Sequence, residues 1–108
     1  MVFNSDRKRD DKAIVYVEEE LADLIPGFLD NRWNDVEAID EALATRDYET
    51  VRVLGHSMKG SGGGYGFGAI TDIGKSLEVA AKERDAEEIR KWLKELAYYL
   101  EIVEVEYE

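Results

Sequence analysis

Apolar residues recur at three- and four-residue spacing through most of this sequence, and that period predicts amphipathic helices. A short helix is predicted over residues 18–25, because the residue before Pro26 is steered away from helical backbone angles. Pro26 then suits the first turn of a long second helix, and three more are predicted to begin at Asp47, near Phe67 and at Asp85. The predicted core stripes are Phe28, Leu29, Trp33, Val36, Ile39 and Leu43; Val51, Leu54, Met58, Gly62 and Tyr65; Ile70, Ile73, Leu77 and Ala80 or Ala81; and Ile89, Trp92, Leu93, Leu96, Leu100 and Val103.

The spacing of these elements predicts the fold class. Four long helices joined by connections of a few residues pack most simply as an antiparallel four-helix bundle, an all-α fold with a short extra N-terminal helix. We expect residues 1–17 to form an N-terminal tail or arm, loose over 1–12, and residues 18–108 to form one bundle domain. Residues 13–17 are β-prone, and residues 103–107 pass from helical into alternating spacing; the pattern alone does not decide whether both stretches are extended and paired with each other.

Composition narrows the function. The chain has 108 residues, no cysteine, one histidine and a net charge of −11. The acidic balance argues against nucleic acid as a partner, and one histidine without cysteine argues against a transition-metal site. No apolar run approaches the roughly 20 residues that span a bilayer, and the N-terminus has no signal-peptide core. We therefore expect a cytoplasmic protein that does not enter membranes.

The candidate chemistry lies in residues 55–68, "GHSMKGSGGGYGFG", which hold the single histidine and seven of the nine glycines. On a helical wheel, His56 lies opposite the apolar stripe of its helix and should be exposed to solvent. Arg52, Lys59, Gly60 and Gly63 share its face. Glycines there leave the ring open to a partner, and the two cations would compensate an added phosphoryl group. The plain alternative is a surface histidine among ordinary solubilising charges.

These residues also resemble a known family. "LGHSMKGSGGGYGF" followed by "LEVAAKERD" is similar to the histidine-containing phosphotransfer (HPt) domain of phosphorelays, and the similarity spans about residues 18 to 105. The family's histidine, lysine and glycine are matched by His56, Lys59 and Gly60. The "SLE" of its next helix is matched by residues 76–78. Gly68 departs from the family pattern, in the turn into the helix predicted to begin near Phe67.

The resemblance implies a phosphocarrier and not an enzyme, since nothing in the chain resembles an ATP site. His56 would accept a phosphoryl group on Nε2 and pass it to or from the aspartate of a receiver domain in a response regulator or hybrid histidine kinase. Lys59 would stabilise the phosphoryl oxygens, and Gly60 would keep the surface open. The resemblance implies no cofactor or metal in this chain, because Mg²⁺ belongs to the receiver. Arg52, Gly63 and Lys75 complete the predicted docking surface, although Lys75 is equally well explained as a plain surface lysine.

Two other functions stay open at this point. A bundle of the same fold can bind a receiver or kinase domain as an adaptor without carrying phosphate, and such an adaptor has no need of the histidine. A purely structural bundle would leave the glycines on the face of His56 without explanation.

Overall fold

The computed structural model describes residues 12–108, so most of the predicted loose tail lies outside the described residues. Helices dominate this part of the chain, with one short strand at each end. In chain order, the elements are β1 (Ala13–Val17), a 3-10 turn (Glu19–Leu21), α1 (Ile25–Ala44), α2 (Tyr48–Gly62), a second 3-10 turn (Gly63–Tyr65), α3 (Gly68–Lys82), α4 (Ala86–Ile102) and β2 (Val103–Tyr107).

The helices begin where local chemistry favours a start. Pro26 lies in the first turn of α1, where its missing N–H costs nothing. The Asp47 side chain accepts a hydrogen bond from the Thr50 backbone N–H at 3.1 Å and caps α2. The Asp85 carboxylate accepts one from the Glu88 N–H at 3.1 Å and caps α4. The predicted starts at Pro26, Asp47 and Asp85 are therefore confirmed.

The four helices close into a ring that encloses one core. α2 packs on α3, α3 packs on α4, and α1 contacts both α2 and α4. Connections of only a few residues make sequential helices antiparallel, so the predicted four-helix bundle is confirmed. Its core is almost entirely aliphatic, with one large aromatic side chain fully enclosed. The largest fully buried side chains are Phe67, Ile25, Ile39, Met58, Ile70, Leu77, Ile89, Leu96 and Val51.

Some details differ from the sequence prediction. The short N-terminal helix is a single 3-10 turn, and the helix that contains His56 ends at Gly62 before a second 3-10 turn. Gly66, with φ of 89°, turns the chain there into α3. Trp33 was predicted to lie in the core but is 38% exposed. It lies five residues after Phe28 and six before Ile39, and at 3.6 residues per turn neither spacing keeps it on their buried stripe.

The two strands settle the question that the alternating stretches left open. β1 and β2 are both extended and pair in parallel, with Ala13 opposite Val103 and Val17 opposite Tyr107. Parallel strands need a long crossover connection, and here the whole bundle supplies it. Val17 is 2% exposed and belongs to the core. Residues 13–17 of the predicted arm are thus attached to the bundle domain through β2.

Candidate functional site

His56 lies in the middle of α2 on an exposed face. Its side chain is 65% exposed, whereas Val51 and Met58 of the same helix are fully buried. The helical wheel predicted this division of the two faces. A regular helix gives the ring a rigid support, because the positions before and after it are held by backbone hydrogen bonds.

A close crossing of α2 and α3 brings a second residue to the ring. A Cβ atom added to Gly55 would lie 2.8 Å from the Gly74 carbonyl oxygen, and one added to Gly74 would lie 2.6 Å from the Lys59 backbone nitrogen. Neither position has room for a larger residue, since both neighbours are backbone. The two glycines therefore allow the helices to touch, and the side chain of Glu78 on α3 reaches the face that carries His56.

The Glu78 carboxylate lies at the centre of the site. Its side chain is only 6% exposed, and its Oε2 atom lies 3.0 Å from His56 Nδ1. Its Oε1 atom lies 2.8 Å from Lys59 Nζ, and Lys82 Nζ lies 3.8 Å from Oε2. The hydrogen bond from Lys59, aided by the contact with His56 and opposed by desolvation, lowers the pKa of Glu78 to about 2. Glu78 is therefore a carboxylate at neutral pH.

This contact determines which nitrogen of the neutral ring carries the proton. An ionised carboxylate only accepts hydrogen bonds, so His56 Nδ1 must donate its proton to Glu78. The other ring nitrogen, Nε2, then carries a free lone pair. The arrangement orients an exposed imidazole and leaves Nε2 available as a nucleophile.

The surface one turn beyond His56 is bare. A Cβ atom added to Gly60 would meet nothing within 4 Å, and one added to Gly63 would meet only Thr71 Oγ1 at 3.6 Å. Gly62 points inward instead, where a Cβ atom would lie 2.7 Å from Thr71 Oγ1. The expected division of these glycines between an open face and a packed face is therefore present.

The two other cations of the predicted docking surface, Arg52 and Lys75, have different surroundings. Arg52 is engaged by Glu49, with its Nε and Nη2 atoms 3.0 and 2.6 Å from the two carboxylate oxygens. Lys75 lines the groove between α3 and α4, beside Val79 and Trp92. The structure thus brings Lys59 into contact with Glu78, holds Arg52 on its own helix, and places Lys75 on another flank of α3.

Sequence reasoning did not find the part played by Glu78, Lys82 and the Gly55–Gly74 crossing. Glu78 was noted only as one letter of a matched tripeptide. A signal was nevertheless present, because an isolated glycine within a predicted helix needs a packing or functional reason, and both Gly55 and Gly74 are such residues.

Two further properties concern the described part of the chain. Within residues 12–108, no group of three or more His, Cys, Asp or Glu side chains is arranged to hold a metal ion. None of the helices in that range has the length and apolar character needed to cross a membrane.

The comparisons with known proteins agree with this architecture. The family model for the Hpt domain matches residues 18–104, which is most of the sequence, and the chain belongs to that family. Neither the comparison with curated proteins nor that with solved structures gave a match. Membership gives the protein a role in phosphotransfer in two-component signalling. Hpt domains are phosphocarrier modules rather than enzymes, and they interact with receiver domains.

Proposed function

We propose that His56 accepts a phosphoryl group on Nε2 and exchanges it with the aspartate of a receiver domain, in a response regulator or a hybrid histidine kinase. The observation that supports this most is the 3.0 Å contact between His56 Nδ1 and the Glu78 carboxylate. It holds the proton on Nδ1 of a ring that is 65% exposed, so the nucleophilic nitrogen is the one that a partner can reach.

The transfer step uses Glu78 as an electrostatic partner. The Nε2 lone pair forms a bond to phosphorus while the bond from phosphorus to the aspartate oxygen breaks, and that electron pair leaves with the receiver's carboxylate. Nδ1 keeps its proton, so the ring becomes cationic as the new bond forms. The adjacent Glu78 carboxylate stabilises this positive charge, as a triad aspartate stabilises an imidazolium. The reverse transfer uses the same contacts.

Lys59 supplies the charge that the phosphoryl group requires. Its ammonium group rests on Glu78 Oε1 at 2.8 Å, and its side chain is 38% exposed. A phosphoryl group adds close to two negative charges beside it, and a lysine on a flexible four-carbon stem can turn toward that charge. We therefore assign Lys59 to stabilisation of the phosphoryl oxygens.

The receiver would dock over the bare part of α2. Gly60 and Gly63 leave this surface without side chains, so another backbone can approach His56 closely. Arg52 lies one turn before His56 on the same helix and suits the acidic pocket that a receiver presents, and Lys75 adds a cation on α3. We assign no cofactor to this chain, and the Mg²⁺ that supports transfer would be held by the receiver.

The first prediction concerns the phosphoacceptor. With Mg²⁺ present, a phosphorylated receiver domain should label the protein, and the His56→Gln variant should stay unlabelled. The label should survive alkali and be lost in acid, as expected for a phosphorus–nitrogen bond. A two-dimensional ³¹P–¹⁵N or ¹H–¹⁵N spectrum of the product should assign the phosphorylated nitrogen to Nε2.

Two outcomes would contradict the proposal. A labelled His56→Gln variant would place the phosphoryl group elsewhere. A receiver that binds both proteins equally and labels neither would favour the adaptor function, in which the bundle docks without carrying phosphate. Circular dichroism of the variant provides the control, since an exposed side chain should be replaced without change in the helical signal.

A further inference from the structure

A notch at one end of the bundle is lined by several arginine side chains. The connections α1–α2 and α3–α4 meet there and enclose a cavity of about 340 Å³. Three arginines line the cavity, from two different connections and from α4. The lining residues are Leu43, Arg46, Tyr48, Arg84, Ala86 and Arg90.

The charge of these arginines is not neutralised within residues 12–108. Arg46, Arg84 and Arg90 form no ion pair with a carboxylate in that range, and Arg84 instead lies over the ring of Tyr48, with Cζ 4.9 Å from its centroid. The chain as a whole carries a net charge of −11. Within the described residues, this acidic protein therefore keeps three guanidinium groups without a carboxylate partner around one cavity.

Within residues 12–108, the carboxylates close in sequence to these arginines form no ion pair with them. Asp47 and Asp85 accept hydrogen bonds from the backbones of the helices that they cap. Glu49 holds Arg52, and Glu83 lines the groove between α3 and α4.

Two of the three arginines lie where the backbone is left-handed. Among the described residues, Arg46 and Arg84 are the non-glycine residues with positive φ, at 57° and 55°. This left-handed conformation at a helix end is usually occupied by glycine, because a Cβ atom is unfavourable there. Attraction to the helix C-terminal dipole would account for these two but not for Arg90, which lies near the positive N-terminal end of α4.

We propose that this arginine notch binds a phosphate dianion, either free or as a monoester on a small molecule, at a site separate from His56. Planar guanidinium groups donate paired hydrogen bonds that match phosphate oxygens. Tyr48 and Ala86 line the cavity beside the arginines, so their backbone amides can report a ligand bound there. A cavity of this volume accommodates a small ligand and not a folded segment.

The test is an NMR titration of the full chain with inorganic phosphate at constant pH and ionic strength. We expect saturable shifts at the Tyr48 and Ala86 amides and at the arginine Nε–H groups. Arg46→Gly and Arg84→Gly should each weaken binding about tenfold, because a charge-assisted hydrogen bond is lost. Both variants should fold, because glycine suits the left-handed backbone at these positions.

Matched variants separate this site from general charge and from His56. Arg90→Gln should weaken binding, whereas Lys94→Gln, which removes an exposed cation one turn along α4 and outside the cavity, should not. His56→Gln should bind phosphate as the wild type does, so failure of the proposed phosphotransfer would leave this result intact. Titration with glycerol 3-phosphate distinguishes a monoester ligand from free phosphate. Shifts that do not saturate, that chloride reproduces, or that Lys94→Gln reduces as Arg90→Gln does would overturn the proposal.

Discussion

One buried carboxylate gives the exposed histidine of this protein a defined chemistry. Glu78 is the buried charged residue of the described core, at 5% exposure. Removing a carboxylate from water is costly unless charges and donors replace the solvent. Lys59 at 2.8 Å, His56 at 3.0 Å and Lys82 at 3.8 Å provide that replacement. The same contacts that make burial tolerable therefore select the tautomer of His56.

A prediction at this scale concerns Glu78→Gln. The variant keeps the shape of the side chain but loses its charge, so the neutral His56 ring should lose its preference for a proton on Nδ1. Transfer from a receiver should slow by about tenfold to a hundredfold, the equivalent of one charge-assisted hydrogen bond. The ¹⁵N shifts of the ring report the tautomer, and label transfer reports the rate.

The control for that experiment removes the same charge elsewhere. Glu83 lies at the end of the same helix and lines the groove with α4. The Glu83→Gln variant should therefore leave both the ¹⁵N spectrum of His56 and the rate of transfer unchanged. A Glu78→Gln variant with the wild-type spectrum and rate would show that Glu78 has no part in orienting the ring.

At the scale of helices, two glycines decide whether the site exists. Glycine within a helix costs about 1 kcal/mol of stability relative to alanine. Closer packing between the two helices must offset that cost at both positions. Gly55 and Gly74 do this where α2 and α3 cross, because each backbone occupies the space that the other's Cβ would need. Without this approach Glu78 would not lie 3.0 Å from His56.

The prediction at this scale is that Gly74→Ala destabilises the bundle. Its Cβ atom would lie 2.6 Å from the Lys59 nitrogen and 2.7 Å from Met58 Cβ, so the helices must separate, at a cost of about 1–3 kcal/mol. Gly60→Ala is the matched control, since its Cβ atom meets nothing and helix propensity should stabilise it by up to about 1 kcal/mol. Urea unfolding followed by circular dichroism measures both. Equal unfolding midpoints for Gly74→Ala and wild type would contradict the close crossing.

Over the whole molecule, packing joins parts of the chain that are far apart in sequence. α1 and α4 close the ring of helices, and the terminal strands meet beyond it in a parallel pair. Val17 from the first strand enters the shared core. Stability is therefore a property of the whole domain, and it follows the ionisation of any group that differs between the folded and unfolded states.

The ionisation of Glu78 should make the unfolding free energy of the domain depend on pH in the acid range. Its pKa is about 2 in the folded state, below its ordinary value of 4.5, because Lys59 and His56 stabilise the charged form. The unfolded chain binds this proton first, so the contribution of Glu78 to stability is complete above about pH 4.5 and is lost as the pH falls toward 2. The difference in unfolding free energy between wild type and Glu78→Gln should shrink over this window. A difference that stays constant from pH 7 to pH 2 would contradict the assignment.

The sequence by itself determined the parts of this protein that depend on local spacing. Apolar residues three and four apart placed the four helices, side-chain acceptors at Asp47 and Asp85 placed two of their starts, and the helical wheel placed His56 on an exposed face. Each of these follows from the geometry of one helix and its caps. Trp33 lies at the edge of the apolar stripe of α1, where the helical period alone does not separate buried from exposed positions.

Only the tertiary structure decided the contacts between elements. His56 and Glu78 are 22 residues apart, and their meeting depends on how closely α2 and α3 cross. The parallel pairing of the terminal strands and the gathering of three arginines at one end depend likewise on which elements the bundle brings together. Periodicity specifies which face of a helix is buried, but the distance and register between two faces are set by the side chains of both.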